Sequence, residues 1–272
     1  MRVGFIGLGS QGGPMARRIV ESGFETTLWA RRPASVEPFG DTDAKTANTP
    51  RELAAASDLV CLCVVGDDDI RQVVEGPDGV LAGLASGGII AIHSTVHPDT
   101  CREIAEKAAA QGVSVIDAPV SGGGPGAAER RLLVMVGGPE EIVERVRPVF
   151  ETYANPLVHL GDLGSGQVTK LLNNLLFTAN LATAKTALDL GAALGVAPER
   201  LGEVITHGTA NSFALSRVVQ GDAAFDRLAQ HAGELLRKDV GLIASLADAA
   251  GVTPGVVLET ADATLDLMKH PR

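Results

Sequence analysis

The strongest chemical signal in the chain is a glycine run near its start. Gly7-Leu8-Gly9-Ser10-Gln11-Gly12 follows an apolar stretch, Val-Gly-Phe-Ile at 3–6, and precedes a helix-compatible segment at 13–21. In such a turn Gly7 lets the chain reverse tightly, Gly9 lets the backbone approach a pyrophosphate, and Gly12 lets the helix close on the strand. The first helical N–H groups lack intrahelical partners and carry positive partial charge, so they suit phosphate oxygens. Residues 7–12 are therefore expected to bind a dinucleotide, the competing reading being a plain strand–helix turn. A second signal stands at the end of the next expected strand, in Trp29-Ala30-Arg31-Arg32-Pro33. An acid at that place normally accepts from the adenosine ribose. Here Arg31 would face the 2′-phosphate of NADP, with Arg32 adding charge, unless both are simply solvated. NADP is expected over NAD, with NAD a possible alternative.

The elements that must position these groups alternate in type. Strands are expected at 3–6, 25–29, 58–65, 89–92, 113–117, 132–136 and 157–160, with helices at 13–21, 68–74, 100–111 and 140–151. The run Leu59, Val60, Leu62, Val64, Val65 is almost continuously apolar, as suits a parallel strand covered on both faces. Repeated strand–helix units favour an α/β fold with a mostly parallel sheet. Beyond Gly161-Asp162 the texture turns helical. The segment 165–194 carries Leu172, Leu175, Leu176, Ala179 and Ala182 near helical spacing. As one helix it would run roughly 45 Å, long enough to join two domains. Further helices are expected from 198, within 223–250 and over 256–268. The reading is a dinucleotide-binding domain at 1–161 and an all-helical domain at 162–272.

Composition narrows the function classes. The 272 residues hold 33 acids against 23 Lys plus Arg, a formal net charge of -10, which is not the footprint of a nucleic-acid binder. An anionic small ligand remains compatible, because helix termini and single cations bind it locally. The apolar run 59–65 is too short to span a bilayer, and the amino-terminal stretch looks like a first strand rather than a signal peptide. Three cysteines, with no Cys-x-x-Cys, are expected as reduced thiols in a cytoplasmic protein. No metal is expected.

Further segments, in order along the chain, give these signals a common meaning. The opening continues as Gly13-Pro14-Met15-Ala16. It is followed by His93-Ser94-Thr95-Val96-His97-Pro98, by Asp117-Ala118-Pro119-Val120-Ser121-Gly122-Gly123, by Gly166-Gln167-Val168-Thr169-Lys170-Leu171-Leu172-Asn173-Asn174, and by Lys238-Asp239. Together they resemble the 3-hydroxyisobutyrate dehydrogenase-related family of β-hydroxyacid dehydrogenases, distantly similar to 6-phosphogluconate dehydrogenases. The resemblance implies an N-terminal Rossmann-like domain for NAD or NADP and a helical C-terminal domain that closes the substrate cleft. It also implies a homodimer or homotetramer, and hydride transfer between the nicotinamide and a small anionic β-hydroxy acid or semialdehyde.

The same resemblance distributes the roles. Lys170 is expected to take the hydroxyl proton during oxidation and return it during reduction. An ordinary lysine pKa is about 10.4, so service near neutral pH would require a depressed value or a proton relay. Asn174 lies one helical turn further on the same face and would hold the hydroxyl. Ser121, Gly122 and Gly123 would bind the substrate carboxylate through a hydroxyl and approachable N–H groups. Ser212 and Phe213 are candidates for specificity. Thr95 would line the nicotinamide edge, Val64 and Val65 would end the strand beneath it, and Lys238 would neutralise an anion. Where the family often has a Gly-containing turn, this chain has Glu129-Arg130-Arg131, which puts substrate size and loop shape in doubt. His93 also departs from the family pattern. The alternatives are an imine reductase and a nucleotide-binding regulatory protein without turnover.

Overall fold

The computed structural model describes residues 1–219 and 221–272. The chain separates into two compact units, Met1–Lys170 and Leu171–Arg272.

The first unit is built on a six-stranded sheet. Its strands are β1 (Val3–Ile6), β2 (Thr26–Trp29), β3 (Lys45–Thr46), β4 (Leu59–Leu62), β5 (Ile89–Ile92) and β6 (Ser114–Asp117). Their order is β3-β2-β1-β4-β5-β6, and every pairing is parallel. The order reverses between β1 and β4, and ligands of such sheets bind outside the carboxyl ends of the strands at that switch point. β1, β4 and β5 are buried throughout because helices cover both faces, so their sequences read as unbroken apolar runs rather than alternating ones.

Helix α1 (Gly12–Glu21) follows β1, α2 (Pro50–Ala55) precedes β4, α3 (Asp67–Glu75) follows it, and α4 (Pro98–Ala109) follows β5. Pro98 occupies the first position of α4, where the missing N–H costs nothing, and the His97 ring accepts from the Asp99 amide to cap it. A second, three-stranded sheet joins β7 (Val120–Ser121), β8 (Leu132–Val136) and β9 (Ala154–His159), with β7 antiparallel and β9 parallel to β8. Helices α5 (Gly123–Ala128) and α6 (Glu140–Phe150) lie between these strands in the chain.

Helix α7 (Ser165–Ala193) begins in the first unit and continues into the second. The rest of the second unit consists of α8 (Pro198–His207), α9 (Phe213–Val218), α10 (Asp222–Ala249) and α11 (Val256–Leu267). Its core gathers Leu171, Leu175, Leu188, Phe225, Leu236, Val240 and Leu265. Thr264 adds a buried polar tie, its hydroxyl donating to the Thr178 carbonyl and accepting from the Ala182 amide. Among the described residues no helix is long and apolar enough to cross a membrane.

Two expectations are corrected. The strand expected over 58–65 ends at Leu62, and Val64 and Val65 lie past it, on the way to α3, with Val65 68% exposed. The apolar run continues beyond the strand because the chain there leaves the ladder; after Cys63 donates to the Ile6 carbonyl, Val64 donates to a serine hydroxyl instead. The last strand of the unit starts earlier than 157, at Ala154, because Leu132 pairs with Ala154 across an irregular register.

Candidate functional site

The glycine turn leaves β1 and enters α1. Gly7 has φ +97°, a left-handed conformation that side chains rarely adopt, and a Cβ there would collide with the Cys63 carbonyl. At Gly12 a Cβ would collide with the Gly7 carbonyl, so the helix can pack this closely only without one. Gly9 differs: a Cβ there would meet nothing within 4 Å. The backbone at Gly9 thus borders open space in front of the α1 amino end, which gives a pyrophosphate room beside N–H donors. Ser10 is exposed and Gln11 half-buried, whereas the Leu8 side chain belongs to the core, so this residue offers the turn only its backbone. These residues fit a dinucleotide.

At the end of β2, Arg31 and Arg32 are exposed. The Arg31 guanidinium donates to Asp69 Oδ1 at 2.5 Å and to Gln72 Oε1 at 3.1 Å, both on α3. An exposed pair of this kind is worth about 0–1 kcal/mol, so a phosphate can displace the carboxylate at little cost.

The carboxyl ends of β4, β5 and β6 carry a buried polar network. The Val64 amide donates to Ser94 Oγ at 2.8 Å. The Gln167 side chain, on α7, accepts from the Val96 amide at 3.1 Å and donates to the Ser94 carbonyl at 2.8 Å. Thr95 lies between those two backbone groups and is itself half-buried. Asp117, at the end of β6, accepts from the Gly164 amide at 2.7 Å and from the Gln167 amide at 2.6 Å. A carboxylate from a distant strand thereby satisfies donors at the start of α7, as an N-cap would. Burial raises the Asp117 pKa, with its backbone hydrogen bonds opposing the shift. Lys170, 9% exposed, follows Gln167 by three residues on the same helix.

Both ring nitrogens of His93 are engaged within the core. Its Nδ1 lies 2.7 Å from the Ala118 carbonyl and its Nε2 3.2 Å from the Tyr153 hydroxyl. The ring stacks on Phe5 at 6.4 Å and meets Phe150 edge-on at 5.1 Å. Burial pushes its pKa down to about 4, so it is neutral at physiological pH. Burial also raises the Cys61 and Cys101 thiols and pushes Cys63 up to about 12, which leaves all three as unreactive thiols near pH 7. Among the described residues no three His, Cys, Asp or Glu stand together as a metal site would require.

Ser121 ends the two-residue strand β7, half-buried, and Gly122 and Gly123 follow it with φ +127° and +67°, both exposed. Both therefore hold a backbone conformation that disfavours side chains. Helix α5 packs against the glycine turn, since a Cβ on Gly124 would collide with the Ser10 carbonyl. The substrate-loop candidate and the dinucleotide turn are thus neighbours. Just after α5, Arg130 holds φ +56°, the left-handed position past a helix end that glycine usually fills. Within Glu129-Arg130-Arg131, arginine thus stands in a left-handed position that favours glycine.

The second unit holds the other candidates. Asn174 Nδ2 donates to Asp239 Oδ2 at 2.6 Å, and its Oδ1 accepts from Asn173 at 3.1 Å. Lys238 Nζ lies 3.2 Å from the other oxygen of Asp239, which is buried rather than solvent-facing. Ser212 caps α9 by accepting from the Leu215 amide. Phe213 is 72% exposed, its ring 5.9 Å from that of Phe177.

Sequence reasoning passed over Asp117 and Gln167 as acting groups. Both stand inside the motifs, but their partners are 47 to 73 residues away, and no local spacing reveals them.

A parallel sheet with a glycine turn at its first strand end, continued by a helical unit, defines a nicotinamide-dinucleotide-dependent oxidoreductase. Residues 2–161 match the NAD binding domain of 6-phosphogluconate dehydrogenase, and residues 164–270 match the NAD-binding domain of NADP-dependent 3-hydroxyisobutyrate dehydrogenase. The chain belongs to the 3-hydroxyisobutyrate dehydrogenase-related family of β-hydroxyacid dehydrogenases, a distant relation of the 6-phosphogluconate dehydrogenases. It is 34% identical to 2-(hydroxymethyl)glutarate dehydrogenase of Eubacterium barkeri, over 89% of this chain and 81% of that one. It is also 34% identical to 3-hydroxyisobutyrate dehydrogenase of Pseudomonas aeruginosa, over 92% and 86%. The solved structure of Mycobacterium tuberculosis 3-hydroxyisobutyrate dehydrogenase with L-serine superposes with a TM-score of 0.87 at 28% identity, covering 99% and 94% of the two chains. The chain is an NAD(P)(H)-dependent oxidoreductase of small hydroxy acids or oxoacids, and either dinucleotide serves the fold.

Proposed function

We propose that the protein oxidises a short β-hydroxy acid to its semialdehyde, and runs the reverse reduction, with Lys170 as the general acid and base and NADP as the preferred cofactor. The relatives supply the substrate class: one acts on 2-(hydroxymethyl)glutarate and others on 3-hydroxyisobutyrate. The observation that carries the reading is the setting of Lys170. It is a buried lysine on a helix whose first turn is fastened to the carboxyl ends of β5 and β6.

When bound, the dinucleotide supplies the hydride acceptor or donor. Its diphosphate would be held by the backbone of residues 7–12, with Leu8, Ser10 and Gln11 completing the turn, and its 2′-phosphate by Arg31 and Arg32. Thr95 would border the nicotinamide, while Val64 and Val65 would contact it from beyond β4. Lys170 Nζ would receive the hydroxyl proton during oxidation and return it during reduction. Asn174 would hold the hydroxyl through its amide, exchanging the Asp239 contact for the substrate. Ser121 Oγ and the amides at Gly122 and Gly123 would hold the carboxylate, and Lys238, Ser212 and Phe213 would tune charge and shape.

In this division residues 1–161 would be the dinucleotide-binding domain and 162–272 the helical substrate and oligomerisation domain. A cytoplasmic location is supported by the three cysteines, Cys61, Cys63 and Cys101, all of them free thiols. A homodimer or homotetramer is supported by the exposed Leu172, Leu176, Leu190 and Leu194 along α7 and just beyond it.

The test is a panel of short β-hydroxy acids and of cyclic imines, each with NADP(H) and NAD(H), followed by nicotinamide absorbance. The reading expects NADP reduction by the hydroxy acids. Turnover of imines alone, or nucleotide binding without turnover of any compound, would overturn it.

A further inference from the structure

The Gln167 side chain has no exposed surface, and both ends of its amide are committed to backbone groups on either side of Thr95. It works as a one-residue strand partner for a loop that has left the sheet. Its own N–H is held by Asp117, so the side chain projects from a backbone that is itself fixed. A packing contact sets only a separation, because apolar surfaces can slide and rotate past one another. A two-point amide contact from an anchored backbone sets the rotation and axial register of the helix as well. Lys170 follows by three residues, on the same side of α7.

We propose that Gln167 is a positioning residue that locks the Ser94-Thr95-Val96 loop and Lys170 into one register, so that the lysine meets the reacting oxygen beside the loop that borders the nicotinamide. This rests on the reading of Lys170 and Thr95 given above. Gln167 does not touch substrate; it acts through the two elements it joins. Small displacements of a reacting group cost rate steeply, about 100-fold for roughly 1 Å. On the same reading most of the nucleotide affinity would come from the glycine turn and Arg31, away from the Ser94-Thr95-Val96 loop that Gln167 holds.

The test compares wild type with Gln167→Met, which keeps the volume but loses both hydrogen bonds, and Gln167→Glu, which keeps the acceptor for Val96 but sets an oxygen against the Ser94 carbonyl. If Gln167→Met does not fold, Gln167→Glu carries the test by the same readouts. Reduced-nicotinamide fluorescence gives nucleotide affinity, and steady-state kinetics gives kcat and KM separately. Labelling of Lys170 by an amine reagent, read by mass spectrometry, reports its placement without turnover. The expected result is a kcat lower by about 100-fold, nucleotide affinity within about 3-fold, and Lys170 labelled several-fold faster. In a Lys170→Ala background, Gln167→Met should lower the remaining rate by less than about 3-fold, because a residue that acts through the lysine has nothing left to position. Unchanged kcat together with unchanged labelling, or losses that multiply in the double variant, would overturn the proposal. Failure of the functional reading shows separately, as a Lys170→Ala protein that keeps its turnover.

Discussion

At the carboxyl ends of β5 and β6, His93, Ser94, Asp117 and Gln167 are buried, and their hydrogen bonds go largely to backbone atoms. At the carboxyl end of β2, Arg31 and Arg32 are exposed, and Arg31 pairs with two other side chains. Both regions face the ligand side of one sheet, yet their polar groups do different work. A buried group bonded to backbone cannot be exchanged without leaving an orphan, at about 1–3 kcal/mol, so it fixes geometry. An exposed ion pair is worth about 0–1 kcal/mol, so it is free to change partners. On the proposed function, this difference would separate residues that set the geometry of the reaction from residues that choose the cofactor.

Lys170→Ala should lower kcat by about 1,000-fold while leaving the fold and nucleotide affinity intact, measured by steady-state kinetics and fluorescence titration. An equal loss of nucleotide binding would mean that the lysine serves the cofactor rather than the proton.

The next effect is on stability. His93 has a folded pKa of about 4 against about 6.5 when unfolded. The folded value is depressed, so the neutral ring's contribution is complete above about pH 6.5 and is lost as pH falls toward 4, by about 3 kcal/mol in all. Asp117 works in the opposite sense: its raised pKa means that ionisation costs stability, and that cost is relieved as pH falls through the folded value. His93→Phe should therefore remove the destabilising acid slope from denaturant unfolding curves taken across this window. A slope equal to that of wild type would place the titration elsewhere.

At the exposed end the effects are smaller. Arg31→Asp should shift the NADP-to-NAD ratio of kcat/KM about 10-fold toward NAD, with little change in stability. A ratio that does not move would place cofactor choice outside the β2 end.

Smallest of all, Arg130→Gly should raise the unfolding free energy by roughly 0.5–1 kcal/mol, since φ +56° is strained for arginine and natural for glycine. Destabilisation in thermal melts would show that the arginine side chain makes a compensating contact.

The same division explains what the sequence reveals. The glycine turn is legible because its residues act on one another within six positions and sit between a strand and a helix. The parallel sheet is legible because strands buried on both faces are apolar throughout. Hydropathy does not mark where a ladder ends, so Val64 and Val65 read as strand although Val65 is exposed. The two-residue strands β3 and β7 and the six-residue helix α5 are too short to set up a period. Lys170 and Asn174 are singled out by the resemblance of the motif that holds them, and helical spacing adds only that the two share a face. Asp117 and Gln167 are not singled out, because their meaning lies in backbone amides and carbonyls that every residue carries, brought to them from distant segments by the fold.

The most direct measurement is the pH dependence of the hydride-transfer rate in single turnovers, for wild type and Lys170→Ala, with a β-hydroxy acid and saturating dinucleotide. The wild-type rate should fall with unit slope toward acid as one group gains a proton, and the Lys170→Ala rate should be low and flat over the same range. The same sloping limb in the Lys170→Ala protein would contradict the proton role of Lys170.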